Sequence, residues 1–349
     1  MGSITSVFSI SEYSVTRTRS EGSGVVITVR PKRPRRPRCP HCGAPRPWKH
    51  DRRQRRVAHV PVGQQCCDLE LTVQRYRCPH CRHTFTPDLP GIRRRARLSE
   101  ALRNFVNFVV VKLGVALRLV EDWLRLGWNT LWRCLADPQP PSLDKLHHLC
   151  LDEVFYREPR RYLTILSNAD HGHVLGQAQG RGERPSRQLL TALPADVRAN
   201  IDTLATDLQA GQRKAAYSCL PTAEVCADCF HVMRLARRAV REALPAQKET
   251  TRLAVRQLRS IMRTKDQPAF LKWLRDWDSA SGSLKGLHKT MQQWQLEIES
   301  YLTTGRTTGP AEALNRKIAL LRRIACGYTN LDNFSKRISL LNYLPHPER

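Results

Sequence analysis

The sequence predicts a multidomain α+β protein in which a metal-binding β unit precedes a pair of short helices and an α/β domain interrupted by helices. Three observations support this fold class. A four-residue motif with two cysteines occurs twice in the first 81 residues, on either side of an alternating strand. The apolar spacing then changes to a helical period, and strand-like runs return before a long helical stretch. The predicted domains are residues 1–95, 96–141, 142–231, 232–305 and 306–349.

The composition indicates a polyanionic partner. Lys and Arg number 58 against 31 Asp and Glu, which gives a formal net charge of +27. Nucleic acid fits such a surplus, because basic side chains displace the counterions condensed along a phosphate backbone. An anionic membrane is the second candidate, but the sequence shows neither a basic amphipathic anchor helix nor an apolar run that spans a bilayer. With no signal peptide visible, we expect a cytoplasmic protein whose 12 cysteines stay reduced.

The cysteine motif C-P-H-C occurs at Cys39–Cys42 and again at Cys78–Cys81. Two-residue spacing lets both thiolates of a tight turn face one metal ion, and two such turns supply the four sulfurs of a tetrahedral zinc site. The alternating run CDLELTVQRYRC lies between the motifs, so a hairpin can bring them together. We therefore expect a structural Zn²⁺ held by Cys39, Cys42, Cys78 and Cys81. The histidine inside each motif is a competing ligand, and two unrelated buried thiol pairs are the alternative.

A basic run occupies residues 31–56, and its prolines make it non-helical. If the cysteine turns fold around zinc, the basic side chains beside them are carried on a scaffold and can meet one stretch of duplex. The residues expected to contact DNA here are Arg46, Lys49, Arg52, Arg53, Arg55 and Arg56. A solvated charged face is the alternative for each of them.

A helical segment follows the cysteine unit. Its apolar residues recur at three- and four-residue spacing, at Leu102, Phe105, Val106, Val109 and Leu113. The run LVEDWLRLGWNTLWRCL then predicts a helix, a turn at Gly127 and a second helix with Asn129 as a candidate N-cap. This is the layout of a helix-turn-helix, in which the second helix would present Asn129, Thr130 and Arg133 to DNA. A plain helical hairpin is the alternative.

Strands and helices alternate after residue 142. The runs HHLCLDEVFY, RYLTILSNA, HVLGQAQG, IDTLATD and AEVCAD predict strands, whereas SRQLLTAL and GPAEALNRKIALLRRIA predict helices. Asp152 lies in the first strand, Asp207 ends the fourth, and Glu312 begins the last helix. This order is the ribonuclease-H-like layout, in which such acids converge to hold two divalent metals about 4 Å apart for phosphodiester chemistry. Each acid also has a structural alternative, since acids favour helix N-termini.

The carboxyl-terminal two thirds of the chain resembles bacterial insertion-sequence transposases of the DDE type, specifically the ISL-three family. The resemblance lies in residues 151–175, 205–239 and 309–338, and the last block is the most specific, with its E-x-x-N-x-x-I and G-Y-x-N-x-x-N-F elements. The family also carries an N-terminal cysteine zinc unit and a helix-turn-helix. The resemblance implies a ribonuclease-H-like catalytic core in residues 142–231 and 306–349, with an all-helical insertion at 232–305.

The resemblance also implies the site. Carried over by position, the catalytic acids are Asp152, Asp207 and Glu312, which would hold two Mg²⁺ ions. The family usually has an aromatic residue shortly after the second Asp, where this sequence continues DLQAGQRKAAY. That departure leaves Asp228 as the reserve candidate for the second acid and Asp202 as a weaker one.

Three further residues are expected to support the active site. Asp228 and His231 match a D-x-x-H element of related transposases and would brace the acids. Arg316 lies four residues after Glu312 on the same helix face, so we expect it near a DNA phosphate.

The function implied by the resemblance is metal-dependent strand cleavage and strand transfer on double-stranded DNA. The protein would bind the terminal inverted repeats of its element, one protein per end, so the active complex would be at least a homodimer. It would work in the bacterial cytoplasm, associated with the nucleoid through DNA. Two alternatives stay open: a zinc-finger and helix-turn-helix regulator with an inactive catalytic domain, and a non-transposing nuclease of the same fold.

Overall fold

The computed structural model describes residues 10–32, 37–157 and 161–343, so the middle of the predicted basic run, residues 33–36, lies outside the described residues. The chain divides into two compact units, the first ending at Asp137 and the second beginning at Pro138. Within the described ranges, every helix is too short or too polar to cross a membrane.

The first unit is built on a five-stranded sheet. Its strands are β1 (Tyr13–Glu21), β2 (Gly24–Pro31), β3 (Trp48–Val62), β4 (Gln65–Arg77) and β5 (Thr84–Phe85). They are arranged β1-β2-β4-β3, with β5 beside β4 and only the β2–β4 pair parallel. Leu69, Leu71 and Val73 alternate along β4 and are buried on one face, as the sequence pattern predicts.

The helices of the first unit correct two predictions. They are α1 (Glu100–Asn107), a π-helix (Phe108–Lys112), α2 (Leu117–Leu124) and α3 (Trp128–Trp132). Leu113 is 60 % exposed, because the change to a π-helix at Phe108 takes the chain out of the α-helical register. The predicted N-cap at Asn129 is also wrong. The N-cap of α3 is Gly127, and the Glu121 carboxylate accepts a hydrogen bond from the Trp128 amide at 3.0 Å, in place of a capping side chain.

The second unit contains a mixed five-stranded sheet in the order β10-β9-β6-β7-β8. Its strands are β6 (His148–Arg157), β7 (Arg161–Asn168), β8 (Val174–Gln179), β9 (Thr203–Thr206) and β10 (Glu224–Ala227). The β6–β7 and β7–β8 pairs are antiparallel, whereas β9 lies parallel to both β6 and β10. The connecting helices are α4 (Glu183–Thr191), α5 (Ala195–Ala199) and α6 (Ala210–Cys219). Three strands, a helical segment, a fourth strand, a helix and a fifth strand thus follow one another along the chain in the order that the sequence predicts.

Helices dominate the rest of the second unit. Residues 229–304, all of them described, form α7 (Cys229–Glu242), a 3-10 turn (Pro245–Gln247), α8 (Lys248–Thr264), α9 (Gln267–Asp276), α10 (Gly282–Gln293) and α11 (Gln295–Thr304). Their apolar faces share one core with β10. The chain then continues with α12 (Gly309–Ile324) and α13 (Leu331–Ser339). Leu314 and Ile318 of α12 pack with Val154 of β6, so this helix lies against the first strand of the second unit.

Candidate metal centres and active site

The structure brings the four predicted cysteines together at one end of the β3–β4 hairpin. The sulfurs of Cys39 and Cys81 are 3.5 Å apart, as are those of Cys42 and Cys78. All four sulfurs lie within 4.8 Å of one another. Tetrahedral zinc with Zn–S bonds of about 2.3 Å separates its sulfurs by about 3.8 Å, so the size of the cluster fits this ion.

The electrostatics of the cluster also favour a cation. Backbone amides of Cys81 and His80 hydrogen-bond to the Cys78 sulfur and lower its pKa to about 6, although burial opposes this. A hydrogen bond from the His83 backbone acts to lower the pKa of Cys81, but burial and the other three sulfurs outweigh it and raise that pKa to about 12. The raised pKa of Cys81 means that its thiolate forms at neutral pH only with a cation beside it, and a set of four sulfurs suits Zn²⁺.

A second cluster forms where the parallel strands of the second unit end. Leu151 pairs with Thr206 across β6 and β9, and Thr206 pairs with Ala227 across β9 and β10. Because the parallel register aligns the next residue of each strand, Asp152, Asp207 and Asp228 follow one another along this edge, in that order from β6 to β10. Asp202 precedes β9 and so lies at the other end of that strand.

His231 joins two of these carboxylates. Its Nδ1 atom is 2.9 Å from Asp228 Oδ2 and 2.9 Å from Asp207 Oδ1, and the contact with Asp228 has hydrogen-bond geometry. Burial lowers the pKa of His231, but the two carboxylates outweigh it and raise this pKa to about 9. The imidazole is therefore cationic at neutral pH and neutralises part of the charge between the acids.

Asp228 is fully engaged as a hydrogen-bond acceptor. Its Oδ2 atom accepts from the His231 amide at 3.1 Å as well as from the ring, and its Oδ1 atom accepts from the Thr308 amide at 3.2 Å. Burial raises the pKa of Asp228, but these bonds outweigh it and lower the pKa below its usual value. Because Thr308 is the N-cap of α12, Asp228 ties the start of that helix to the start of α7.

Asp152 is more buried than Asp207, with 7 % of its surface exposed. Burial and the charge of Asp207 raise its pKa to about 7. Its Oδ1 atom accepts from the Glu153 amide at 2.6 Å, and its Oδ2 atom accepts from the Asn315 side-chain amide. Divalent cations prefer carboxylate oxygens as ligands. A buried carboxylate whose pKa is raised by burial and by a neighbouring acid is therefore a suitable ligand for such a cation.

Glu312 lies in the first turn of α12 and is half-buried. It precedes Asn315 by three residues and shares its helix face, so it lies one turn from the residue that contacts Asp152. Among the described acids and histidines, the metal-ligand atoms within 4.8 Å of one another are those of Asp207, Asp228 and His231. Asp152 and Glu312 thus lie outside this group, although the charges of Asp207, His231 and Asp228 act on Asp152.

Sequence reasoning missed Asn315 and Glu153. Glu153 Oε1 accepts from the Gly182 amide at 2.9 Å and from Gln209 Nε2 at 2.6 Å. These bonds link the residue after Asp152 to the segment after Asp207. With Asp207, His231 and Arg234, Glu153 and Gln209 line a cavity of about 240 Å³. In the sequence, Glu153 stands out only as the neighbour of Asp152, and Asn315 only as part of the E-x-x-N element. Neither feature predicts what the Glu153 or Asn315 side chain contacts.

The residues predicted to contact DNA differ in what they already bind. Arg55 donates to the carbonyl oxygens of Arg93 and Ala96, and Arg56 pairs with Glu21 at 2.7 Å and with Asp68 at 2.8 Å. Thr130 is half-buried. The exposed members are Arg46, Lys49, Arg52, Arg53, Arg56, Asn129, Arg133 and Arg316.

Comparisons with known proteins point to one family. A model of the ISL3 DDE family, described as transposase, matches residues 149–266 and 248–338, which together span more than half of the 349 residues. The zinc-finger of transposase IS204/IS1001/IS1096/IS1165 matches residues 35–81.

Individual relatives agree with the family match. The transposase for insertion sequence element IS1001 of Bordetella parapertussis is 24% identical over 53% of this chain and 46% of its own length. The transposase for IS1557 of Mycobacterium tuberculosis is 26% identical over 63% of this chain and 50% of its own. The chain thus spans about half the length of the curated relatives it matches. The catalytic core domain of BIV integrase aligns with 48% of this chain and 93% of its own, at 11% identity and a TM-score of 0.19, a likeness too slight to support any statement about the fold. By its family match, the chain belongs to the ISL3 family of insertion-sequence transposases.

Proposed function

Since the chain belongs to the ISL3 transposase family, we propose that it is a DDE transposase that binds the ends of its element and catalyses metal-dependent strand cleavage and strand transfer. The observation that carries the proposal is the row of aspartates at one sheet edge, with the helix of Glu312 beside it. A regulator that only binds DNA has no need of a buried acid whose pKa is raised by its neighbour at the cost of stability.

The residues that would hold the catalytic metal ions are Asp152, Asp207 and Glu312. Asp207 is preferred over Asp228 as the second acid, because both oxygens of Asp228 already accept hydrogen bonds. A divalent cation such as Mg²⁺, when bound, supplies a Lewis acid that lowers the pKa of the attacking hydroxyl and stabilises charge on the leaving oxygen. The same three residues would hold the ions for both displacements, the attack by water and the attack by the freed 3′-hydroxyl.

The surrounding residues would position the acids. Asn315 holds one oxygen of Asp152, so the orientation of that carboxylate is fixed relative to α12. Asp228 and His231 would hold Asp207 in place from the side of β10, since the imidazolium contacts both acids. Arg316 is exposed one turn beyond Glu312 and would meet a DNA phosphate.

The N-terminal parts would recognise DNA. We assign Zn²⁺ to the four cysteines, and a helix-turn-helix to α2 and α3, whose exposed Asn129 and Arg133 are available to a duplex. Residues 1–95 and 96–141 would then be the two DNA-contacting domains. Residues 232–305 would form a helical insertion between the two parts of the catalytic core, residues 142–231 and 306–349. One protein at each element end makes the active complex a homodimer or larger.

The direct test is strand cleavage on end DNA. Duplexes covering the sequences that flank the gene on both sides are end-labelled and incubated with the full chain and Mg²⁺, and the nicks are mapped. We expect a cut at one fixed position in each end-containing duplex and none in a shuffled duplex of equal composition. Binding without any cut in Mg²⁺ or Mn²⁺ would favour the regulator, and cuts without end preference would favour the nuclease.

A further inference from the structure

A cleft in the first unit is lined by cations that the proposed active site does not use. Its volume is about 380 Å³, and it lies between β3, β4 and the segment that follows β5. One acid, Asp88, lines it together with five arginines, Arg53, Arg55, Arg75, Arg94 and Arg95. The sequence pattern singled out Arg53 and Arg55, whereas the other three arginines come from β4 and the segment after β5.

Arg55 holds one wall of this cleft in place. Its Nη2 atom donates to the carbonyl oxygens of Arg93 and Ala96, which lie on either side of Arg94 and Arg95. Arg95 has a φ of +61°, a left-handed backbone that a residue with a Cβ rarely adopts. Such strain persists where the surroundings enforce it, and it is concentrated at functional sites. The clamp by Arg55 therefore presents two consecutive arginines to the cleft.

The arginines of the cleft differ in how far they are neutralised. Asp51 Oδ2 accepts from Arg53 Nε and from Arg75 Nη1, each at 3.1 Å, so one carboxylate orients two guanidinium groups. Arg94 and Arg95 are exposed, and neither forms an ion pair or side-chain hydrogen bond with any residue that the structure describes. The cleft therefore keeps a positive excess, and guanidinium groups match the geometry of phosphate oxygens.

We propose that this cleft binds the phosphate backbone of duplex DNA, with Arg94 and Arg95 as the residues in contact with phosphate. The proposal rests on the proposed function in that the bound polymer is DNA. It extends that function by adding Arg94 and Arg95, in the segment after β5, to the phosphate contacts expected from residues 46–56. Because phosphate contacts carry no sequence information, the cleft would position the protein on any duplex.

The test measures how the binding of the full chain depends on salt. The probe is a labelled random-sequence duplex, and its binding constant is measured by fluorescence anisotropy over a range of salt concentrations. Arg94→Ala combined with Arg95→Gly removes both charges, and glycine accepts the positive φ of Arg95 without strain. We expect the slope of log K against log salt to become shallower by about 1.8, because each phosphate that a cation neutralises contributes about 0.9 to that slope.

A matched control removes two charges elsewhere in the same unit. Arg17→Ala combined with Arg30→Ala alters exposed arginines on β1 and β2 that do not line the cleft, so we expect the slope to stay the same. Asp88→Asn removes the acid of the cleft, so we expect tighter binding at every salt concentration. Zinc content and the far-UV circular dichroism spectrum, compared with those of the unaltered protein, establish that each variant is folded.

The possible outcomes distinguish a failure of the cleft proposal from a failure of the proposed function. An equal change of slope in both double variants would mean that bulk charge alone is measured, and an unchanged slope in the Arg94 and Arg95 variant would mean that no phosphate is bound there. Either result overturns the proposal that the cleft binds phosphate. If the unaltered protein fails to bind duplex DNA at all, the proposed function itself is overturned.

Discussion

The two clusters of metal-ligand side chains differ in the distance along the chain over which each is assembled. The four cysteines come from two turns, one before and one after a single hairpin, which meet at its open end. The acids come from β6, the ends of β9 and β10, and a helix that begins after a further run of helices. In the first cluster the ligands themselves fix the geometry, because spacing within each turn aims both sulfurs at one point.

The acidic cluster depends instead on the fold around it. Asp152 and Asp207 are neighbours because the register of β6 and β9 is parallel, and Asn315 reaches Asp152 across 163 positions of the sequence. A change near the cysteines is therefore expected to remove a metal and the DNA contacts that depend on it, with little change elsewhere in the fold. A change near the acids is expected to spread through side chains that hold the ligands, and the following variants test this contrast.

The largest effect is expected from Cys78→Ser. A structural zinc site is closed and four-coordinate, so one missing thiolate should cost the site its metal. Bound zinc should fall from about one ion per chain to none, and binding to end DNA should weaken. The apolar core of the sheet, which includes Leu69 and Leu71, does not involve these sulfurs, so the far-UV spectrum should change little.

Cys66→Ser is the matched control for the zinc measurement. Cys66 lies in β4, outside the cluster, and its sulfur donates a hydrogen bond to the Trp123 carbonyl at 3.2 Å, which serine can replace. This variant should keep its zinc, as measured by metal analysis after gel filtration. Full zinc content in the Cys78 variant would remove the four-sulfur site from consideration.

Asp152→Asn should give the largest loss of catalysis. The amide keeps the shape of the side chain and removes its charge, and metal stabilisation of a transition state contributes several kcal/mol, so cleavage should fall about 10³-fold or more. Binding to end DNA should be unchanged. Asp202→Asn is the matched control, since Asp202 lies at the far end of β9 and should leave cleavage intact. Cleavage by the Asp152 variant at a rate within tenfold of the unaltered protein would exclude this acid as a metal ligand.

Much of this arrangement could be predicted from the sequence. The strands of the second unit, the helix of Glu312 and the hairpin between the cysteines all follow from periodicity, because each element buries one face. Cys39 and Cys78 could be assigned from spacing alone, since their partners lie three residues away. By contrast, the π-helix at Phe108 leaves no mark in an apolar run, and it moved Leu113 into solvent.

The contacts between the acids and their supports could not be predicted. The distance from Asn315 to Asp152 depends on how α12 packs against β6, which is set by Leu314 and Ile318 meeting the sheet. The bonds of Asp228 to the Thr308 and His231 amides likewise depend on packing and could not be predicted, and they are what distinguishes Asp228 from Asp207. Sequence spacing treated both aspartates as candidates for the second acid.

The comparison of Asp207→Asn with Asp228→Asn resolves that choice. Asn at position 228 keeps one acceptor oxygen, which can still cap α7, but it loses the bond from the Thr308 amide and the pairing with the charged imidazole. If Asp228 orients the ligands, cleavage should fall about 10- to 100-fold. Asn at position 207 removes a proposed ligand and should cost about 10³-fold. The measurement is the cleavage rate at saturating Mg²⁺. The reverse order of the two losses would make Asp228 the second catalytic acid.

The smallest effect is expected from Asn315→Ala. The variant loses a side-chain hydrogen bond to Asp152, worth about 1 kcal/mol, but alanine favours the helix, so the melting temperature should hardly change. Cleavage should nevertheless fall about tenfold, because the Asp152 carboxylate is free to turn. Leu320→Ala, an exposed position on the same helix, is the control and should leave both quantities unchanged.

Measuring stability and cleavage together tells whether a distant contact orients an acid or only packs a helix. A parallel loss of melting temperature and rate in Asn315→Ala would assign the residue to packing, and an unchanged rate would show that Asp152 is held without it. A loss of rate alone would mean that the orientation of Asp152 depends on Asn315, which is 163 positions away in the sequence. The cysteines of the first cluster, by contrast, are oriented by the turns in which they lie.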